Sequence, residues 1–216
     1  MLDFIKGLFK KKEKLIDEDY EKHYEAKSEA LEKILGKMHE FVGHAIIPFQ
    51  VGGAVDMYYF PNAMDGTAFV TMELIEPDGS GPRPNRMGTY ELIAFTKQKI
   101  ETSNEENSLF NKIERRICGI FTSIGNYSFQ AKLEPGETCE IPGEEGKKNK
   151  YLVFDEYKNG DEVFEINERK HGLLLIIEIY RSEMEYAMSN GSKELFKKLK
   201  EKGYYPYSDL DRDPVV

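Results

Sequence analysis

The amino-acid sequence predicts a single α+β domain, built on a curved, mostly antiparallel mixed sheet with helices packed against it. Strand-like runs rich in Val, Ile, Tyr and Phe occur in both halves of the chain. Two long segments carry apolar residues at helical spacing, and no linker divides the 216 residues. A chain of this length and composition is able to bury one sizeable core.

The first full helix is predicted from about Asp17 to Gly36, where glycine supplies a C-terminal stop. Its aromatic and apolar residues recur at helical spacing and are Tyr20, Tyr24, Leu31, Ile34 and Leu35. Residues 1–16 are assigned to a basic N-terminal segment, separate from a domain at 17–216. Because residues 1–14 carry five Lys against two acidic residues, they fit either an anionic membrane surface or a frayed, partly docked helix, and we favour the helix.

Three strands are predicted next, at 54–60, 67–74 and 89–96. The segment 75–88 between the last two is rich in Gly and Pro, so we expect an exposed loop. Loops of this length often carry function.

A second long helix is predicted over residues 109–124, with Ser103 and Glu106 at capping-box spacing and Gly125 as its end. Its apolar stripe is typical of packing against a sheet.

Two further strands, at 151–157 and 161–166, are expected to form a hairpin around Asn159-Gly160. The run 172–180 is almost continuously apolar, as in a strand covered on both faces. Two short helices should follow, capped by Ser182 and Ser192 and separated by Gly191.

The charge and cysteine content exclude several classes of function. A net charge of -9 disfavours nucleic-acid binding, which needs a concentrated basic face. Cys118 and Cys139 form neither a disulfide framework nor a zinc motif. The sequence has no run long and apolar enough to span a membrane and no secretory signal, so we expect a cytoplasmic protein.

No motif for an enzyme, a cofactor or a metal is apparent. The sequence has neither a phosphate-binding Gly-rich loop nor a nucleophile elbow. The histidines are His23, His39, His44 and His171, and none has metal-ligand spacing. His23 and His171 are expected to be solvated. The alternative is an enzyme of unknown reaction, with Asp56 and Glu91 as a carboxylate pair in a pocket.

The run of predicted strands resembles the Suppressor of Fused-like family. Its members share a strand carrying an Asp, a strand with a Thr-Met element and an aromatic-Glu-Leu strand. The matching segments here are AVDMYYFP with Asp56, FVTMEL with Thr71 and Met72, and TYELIAFT with Tyr90 and Glu91. The resemblance extends over roughly residues 18–212. Where family members commonly have Gly-Met-Ser after the Thr-Met element, this chain has Glu-Leu-Ile at 73–75.

The resemblance implies a protein-binding domain of the stand-alone bacterial type. Bacterial relatives of that type include immunity proteins that neutralise toxins, and an acidic protein steers a basic partner towards itself. The expected partner is therefore another protein, with a toxin domain as the narrower hypothesis.

Charged residues outside the predicted core are candidates for the contact surface. In the 77–88 loop these are Asp78, Arg83 and Arg86, and in the terminal segment they are Asp209, Asp211 and Arg212. Arginine offers forked hydrogen bonding to carboxylates. The alternative for the terminal segment is that Arg212 pairs locally with Asp209 or Asp211.

Overall fold

The computed structural model describes residues 2–101, 108–143 and 148–216, with side chains described from residue 18 onward. Within these residues lie four helices: α1 (Leu2–Leu35), α2 (Leu109–Ser128), α3 (Arg181–Asn190) and α4 (Ser192–Glu201). The strands are β1 (Val42–Gly43), β2 (Met57–Phe60), β3 (Thr67–Val70), β4 (Tyr90–Thr96), β5 (Thr138–Ile141), β6 (Lys150–Glu156), β7 (Glu165–Ile166), β8 (Arg169–Lys170) and β9 (Gly172–Ile179). A 3-10 turn at Phe49–Val51 precedes β2.

Seven of these strands form one open sheet in the order β1-β2-β3-β4-β9-β6-β5. Neighbouring strands run antiparallel except for β4 and β9, which run parallel. The predicted class, a mostly antiparallel mixed sheet with packed helices in one domain, is therefore confirmed.

The helices cover both faces of the sheet. In β9, Leu173, Leu175 and Ile177 join the apolar cluster beneath α1, α3 and α4. Leu174 and Ile176 join the cluster beneath α2. All eight residues of β9 are buried, which confirms the prediction of a strand covered on both faces.

Strand β3 is shorter than predicted, because it ends at Val70 and not at residue 74. The Thr71 N–H still bonds to the Leu92 carbonyl, but the Thr71 hydroxyl takes the place of a carbonyl and accepts from the Leu92 N–H at 2.9 Å. The backbone is thus released from the sheet, and residues 71–75 turn towards α1.

The predicted hairpin of 151–157 with 161–166 is wrong. Strand β6 is bordered by β5 on one side and β9 on the other, so it has no free edge for the following segment. Strand β7 pairs instead with β8 across Asn167-Glu168, whose positive φ values of 50° and 64° form the turn. Asn159 donates its side-chain amide to the Ile34 carbonyl of α1.

Helix α2 passes through Gly125, which was predicted to end it, and continues to Ser128. A Cβ on Gly125 would approach Phe49 and Leu74 at 3.2–3.3 Å, so the glycine permits close packing. The N-cap is Ser108, whose hydroxyl accepts from the Asn111 N–H. The predicted capping pair, Ser103 and Glu106, lies outside the described residues.

The two C-terminal helices are separated at Gly191, as predicted. Helix α3 begins one residue before Ser182, the expected cap. Its first turn is closed by Glu183, whose carboxylate accepts from the Tyr180 N–H at 2.9 Å.

Helix α1 runs as one helix across the predicted boundary between residues 16 and 17, and the two ranges stay a prediction. It ends at Leu35, and the next residue is Gly36, as predicted for the stop. Gly36 has a φ of 82°, a backbone conformation that glycine adopts more readily than other residues. In the part of the chain that the structure describes, no helix combines the length and the apolar character that crossing a bilayer requires.

Candidate functional site

The main candidate site is a groove of about 640 Å³ between α1 and the segment that leaves the sheet after β3. We call it the α1 groove. Its lining comes from α1 (Tyr20, Glu21, His23, Tyr24 and Glu25), from the 3-10 turn and β2 (Gln50 and Tyr58), and from the 72–76 segment (Met72, Glu73, Ile75 and Glu76).

Beneath the groove, a buried lysine joins α1 to the 72–76 segment. The Lys27 ammonium donates to the Met72 and Ile75 carbonyls at 2.8 Å each and to the Glu91 carboxylate at 2.7 Å. The Lys27 and Glu91 side chains are 1% and 0% exposed. All three ammonium protons therefore have acceptors, as a buried cation requires.

The Glu91 carboxylate is also fully engaged. Besides Lys27, it accepts from the Thr71 hydroxyl at 2.7 Å, the Leu74 N–H at 3.2 Å and the Ile75 N–H at 3.0 Å. These bonds fold the 71–75 backbone around one carboxylate and set the path of the groove's edge.

His23 lines the groove and is 7% exposed. Its Nε2 lies 2.9 Å from the Ile75 carbonyl, which only accepts, so Nε2 carries the proton. Burial, together with the nearby Lys27 charge, lowers the pKa of His23, although the bond to Ile75 opposes this shift. The neutral ring then presents Nδ1 as an acceptor, and among the described residues Nδ1 has no hydrogen-bond partner.

Tyrosines frame the mouth of the groove. Tyr20 and Tyr24, four residues apart on α1, are 50% and 40% exposed. The Tyr20 hydroxyl donates to the Glu76 carboxylate at 2.8 Å across the groove, and the Tyr24 ring lies 6.0 Å from the Tyr58 ring. The open groove is therefore walled by aromatic surface.

Glu73 has the most perturbed carboxyl group of the lining. Burial raises its pKa to about 7, and repulsion from Asp56 and Glu91 adds to this effect. The Asp56 N–H donates to Glu73 at 2.9 Å and partly opposes the shift. The carboxyl group is thus partly protonated at neutral pH.

We expect Glu73→Gln to raise the free energy of unfolding at pH 8 by about 1–2 kcal/mol. The folded pKa of Glu73 lies above its ordinary value of 4.5, so this group's contribution to stability is complete below pH 4.5 and is lost as the pH rises through about 7. Glutamine cannot ionise. Urea unfolding at pH 4 and pH 8 measures the difference, which should be near zero at pH 4.

The exposed Glu162→Gln variant is the control and should stay within about 0.5 kcal/mol of the parent at both pH values. Equal stabilisation by Glu73→Gln at pH 4 and pH 8 would contradict the assignment to ionisation.

The family comparison decides where this chain belongs. The family model for Suppressor of fused protein (SUFU) matches residues 54–213. The chain belongs to the SUFU family. The match includes the 72–76 segment, whereas the α1 side of the groove lies before it.

Two solved structures share the fold of this chain. The crystal structure of the Sufu–Fu complex aligns with a TM-score of 0.58 and 15% identity, over 89% of this chain and 92% of that chain. A protein described as a SUFU homologue from Neisseria gonorrhoeae FA 1090 aligns with a TM-score of 0.56 and 15% identity, over 90% and 97%. Among curated proteins, none matches the chain.

The structure brings together most of the positions predicted to carry the family motif. Thr71, Met72 and Glu91 all belong to the hydrogen-bonded group around the Lys27–Glu91 ion pair. Tyr90 is buried on the α2 side, within the other apolar cluster. The Glu-Leu-Ile sequence at 73–75 supplies two N–H donors to Glu91 and one groove carboxyl group.

Asp56 lies just before β2 and pairs with His44. The Asp56 carboxylate is 2.7 Å from His44 Nδ1 and accepts from the Ala45 N–H at 2.8 Å. Asp56 is partly exposed, whereas Glu91 is sealed beneath the groove. The two carboxylates therefore do not share an open pocket.

The 75–88 loop is only partly exposed, because Ile75, Pro82 and Asn85 are buried. The Asn85 amide donates to the Leu133 carbonyl at 2.8 Å and anchors the loop. Asp78, Arg83 and Arg86 are exposed, as predicted.

Arg86 lies near both an acidic side chain and a group of lysines. It lies 3.6 Å from the Glu156 carboxylate. It also lines a cleft of about 500 Å³ with Lys193, Lys197 and Lys200 of α4. A partner-binding role for the loop stays a prediction.

The terminal charges differ from one another in exposure. Asp209 is 6% exposed and accepts from the Thr96 hydroxyl at 2.6 Å and the Lys97 N–H at 2.7 Å. The Arg212 side chain is 5% exposed and pairs with Glu183, not with Asp209 or Asp211. Asp211 is exposed. Partner binding by these residues stays a prediction, with Asp211 the most accessible of them.

Two expectations about histidine are wrong. His23 is buried, as described, and His171 is half-buried with Nδ1 2.7 Å from the Thr89 hydroxyl. Burial lowers the pKa of His171 to about 4. The sequence of α1 does contain a signal for the burial of His23. His23 and Lys27 share a helical face with Leu31 and Ile34, at spacings of three to four residues.

Proposed function

We propose that this chain is a protein-binding domain that holds its partner at the α1 groove. The observation that carries this proposal is the pair of half-exposed tyrosines, Tyr20 and Tyr24, beside an open groove. Tyrosine is enriched at binding hot spots because it combines a large apolar ring with a polar tip.

The comparison with solved structures supports the same function. In one of the two similar structures, Sufu is part of a complex with Fu. The enzyme alternative has less support, because Glu91 is 0% exposed and each of its oxygens already has partners. Among the described residues, no group of three or more His, Cys, Asp or Glu side chains is arranged to hold a metal ion.

A narrower proposal is that the chain is a cytoplasmic immunity protein that neutralises a toxin. The acidic net charge of -9 supports it, since electrostatic steering speeds the capture of a basic toxin domain. The test begins with the neighbouring genes: if one encodes a large secreted toxin, its toxic domain is co-expressed with this chain. Growth should be restored by the parent chain, and unrescued growth would contradict the immunity role while leaving protein binding open.

We expect Tyr20→Ala/Tyr24→Ala to weaken partner capture by at least about tenfold, as the loss of two hot-spot side chains does at other interfaces. Both side chains are about half exposed and lie outside the buried core, so the fold should be little affected. The measurement is a quantitative pull-down from source-cell lysate, with captured proteins compared between variants by mass spectrometry.

The control is Tyr127→Ala, a 48%-exposed tyrosine on α2, across the sheet from α1. A further arm carries Arg83→Ala/Arg86→Ala in the 77–88 loop. A partner lost only in the tyrosine variant supports the α1 groove. A partner lost only in the arginine variant moves the binding face to the loop and overturns the groove.

A further inference from the structure

We propose that the α1 groove receives an arginine side chain from a basic segment of the partner. This inference rests on the proposed function and adds the chemistry of what is bound. Two features of the groove support it, namely the sign of its charge and its aromatic walls, and a buried acceptor without a partner lies next to them.

The charge of the lining has one sign. Among the described residues that form the groove, four are glutamates, namely Glu21, Glu25, Glu73 and Glu76, and none is Lys or Arg. Glu73 carries only part of its charge at neutral pH, as described above. The nearby Lys27 is sealed underneath and compensated by Glu91. The groove therefore attracts a cation, and it does so more strongly than an open surface because its walls reduce solvent screening.

The floor carries an acceptor that needs a donor. His23 is 7% exposed, and its protonated Nε2 is already committed to the Ile75 carbonyl. Its Nδ1 has no partner among the described residues. The nitrogen itself has almost no exposed surface, so a ligand donor reaches it only when the groove wall shifts. A buried acceptor left unpaired costs about 1–3 kcal/mol, and a donor that pairs with it after such a shift is stabilised. A carboxylate ligand would be repelled and would offer no proton.

The walls favour guanidinium over ammonium. Tyr20, Tyr24 and Tyr58 supply aromatic surface on the groove. A guanidinium is planar, stacks on aromatic rings and presents five N–H donors in a fixed fork. One such group is able to stack on a tyrosine and bond to a glutamate together, whereas an ammonium is a strongly hydrated point charge.

The test titrates the full chain, labelled with ¹⁵N and ¹³C, with N-acetyl-arginine methylamide. N-acetyl-citrulline methylamide, which has the same shape without the charge, and the lysine analogue are titrated in parallel. We expect saturable shifts of the Tyr20 and Tyr24 ring signals and of the His23 Nδ1 resonance with the arginine probe. Citrulline should bind about tenfold more weakly, because it lacks charge-assisted hydrogen bonds.

The matched variants are Glu73→Gln/Glu76→Gln in the groove and Glu162→Gln/Glu194→Gln at exposed sites elsewhere. The groove pair should lose about tenfold in affinity for the arginine probe, and the distant pair should lose almost none. The arginine inference is overturned if citrulline binds equally well, if the lysine probe binds more tightly, or if the groove pair binds arginine like the parent.

The inference and the proposed function fail in different ways. If the parent chain captures its partner through Tyr20 and Tyr24 but no arginine shift appears at His23, the protein-binding function stands and the arginine inference falls. If arginine binds in the groove but the tyrosine variant captures the partner normally, the groove is a ligand site away from the protein interface.

Discussion

Lys27→Met should lower the free energy of unfolding by about 3–5 kcal/mol, the usual cost of removing one partner of a buried ion pair. The side chains of Lys27 and Glu91 are 1% and 0% exposed, so water cannot replace the lost ammonium. Methionine fills similar volume but leaves the Met72 carbonyl without the lysine donor and the Ile75 carbonyl with His23 as its remaining side-chain donor. The three remaining donors to Glu91 favour the lower end of this range.

Urea denaturation followed by circular dichroism measures this loss. Lys27→Met/Glu91→Gln should lose less stability than Lys27→Met, because the double variant no longer buries an uncompensated charge. Lys33→Met is the control on the same helix, since Lys33 is exposed and its loss should cost under about 0.5 kcal/mol. A loss below 1 kcal/mol for Lys27→Met would mean that apolar packing alone holds α1 to the sheet.

The same ion pair connects stability to the proposed binding site. Lys27 joins α1, which carries Tyr20 and Tyr24, to the 72–76 segment, which carries Glu73 and Glu76. These two elements form opposite walls of the α1 groove. Weakening the pair should therefore loosen the contact between these two walls, and so disorder the groove, before the domain unfolds.

The fold class was predictable because its signals are local. Alternating and continuous apolar runs identify strands, and the stripe in α2 identifies a helix, without knowledge of what they pack against. The partners of each strand were harder to predict, as 161–166 illustrates. Asn159-Gly160 is a good turn, and Gly160 has a φ of 59°, but β6 already has neighbours on both edges.

The candidate site was less predictable because its key residues are polar and buried. The residue types of His23 and Lys27 favour solvent, although their spacing places both on the apolar face of α1. Their burial depends on carbonyls of the 72–75 segment, about 45 to 52 residues away in the sequence. Tyr20 and Tyr24 show the reverse case, since they follow the apolar spacing but lie at the exposed edge of the stripe.

The terminal segment shows a similar limit. Asp, Arg and Pro residues near a chain end favour an exposed tail. In the structure, the Asp209 carboxylate accepts from the Thr96 hydroxyl at the end of β4 and from the Lys97 N–H. Arg212 is buried with a carboxylate of α3. A charged residue near a chain end is thus a poor indicator of exposure when the folded protein offers it a buried hydrogen-bond partner.

Arg212→Met should lower the free energy of unfolding by about 3–5 kcal/mol, because it leaves the Glu183 carboxylate buried without its cation. The guanidinium binds Glu183 through two parallel bonds of 2.6 and 2.9 Å, and Glu183 is 0% exposed. The Tyr180 and Tyr204 rings lie 5.2 and 4.9 Å from the guanidinium. Arg212→Lys should recover part of the loss, since lysine keeps the charge but not the fork.

Arg181→Met is the matched control, because Arg181 forms an exposed pair with Glu185 on the same helix at 2.8 Å. Exposed pairs of this spacing contribute about 0.3–0.5 kcal/mol. Equal losses for Arg181→Met and Arg212→Met in urea denaturation would contradict a structural role for the buried pair. If only Arg212→Met is destabilised, and its folded fraction captures the partner like the parent, then Arg212 acts by holding the C-terminal segment against α3. Of the terminal charges predicted to bind the partner, Asp211 would then remain as the exposed candidate.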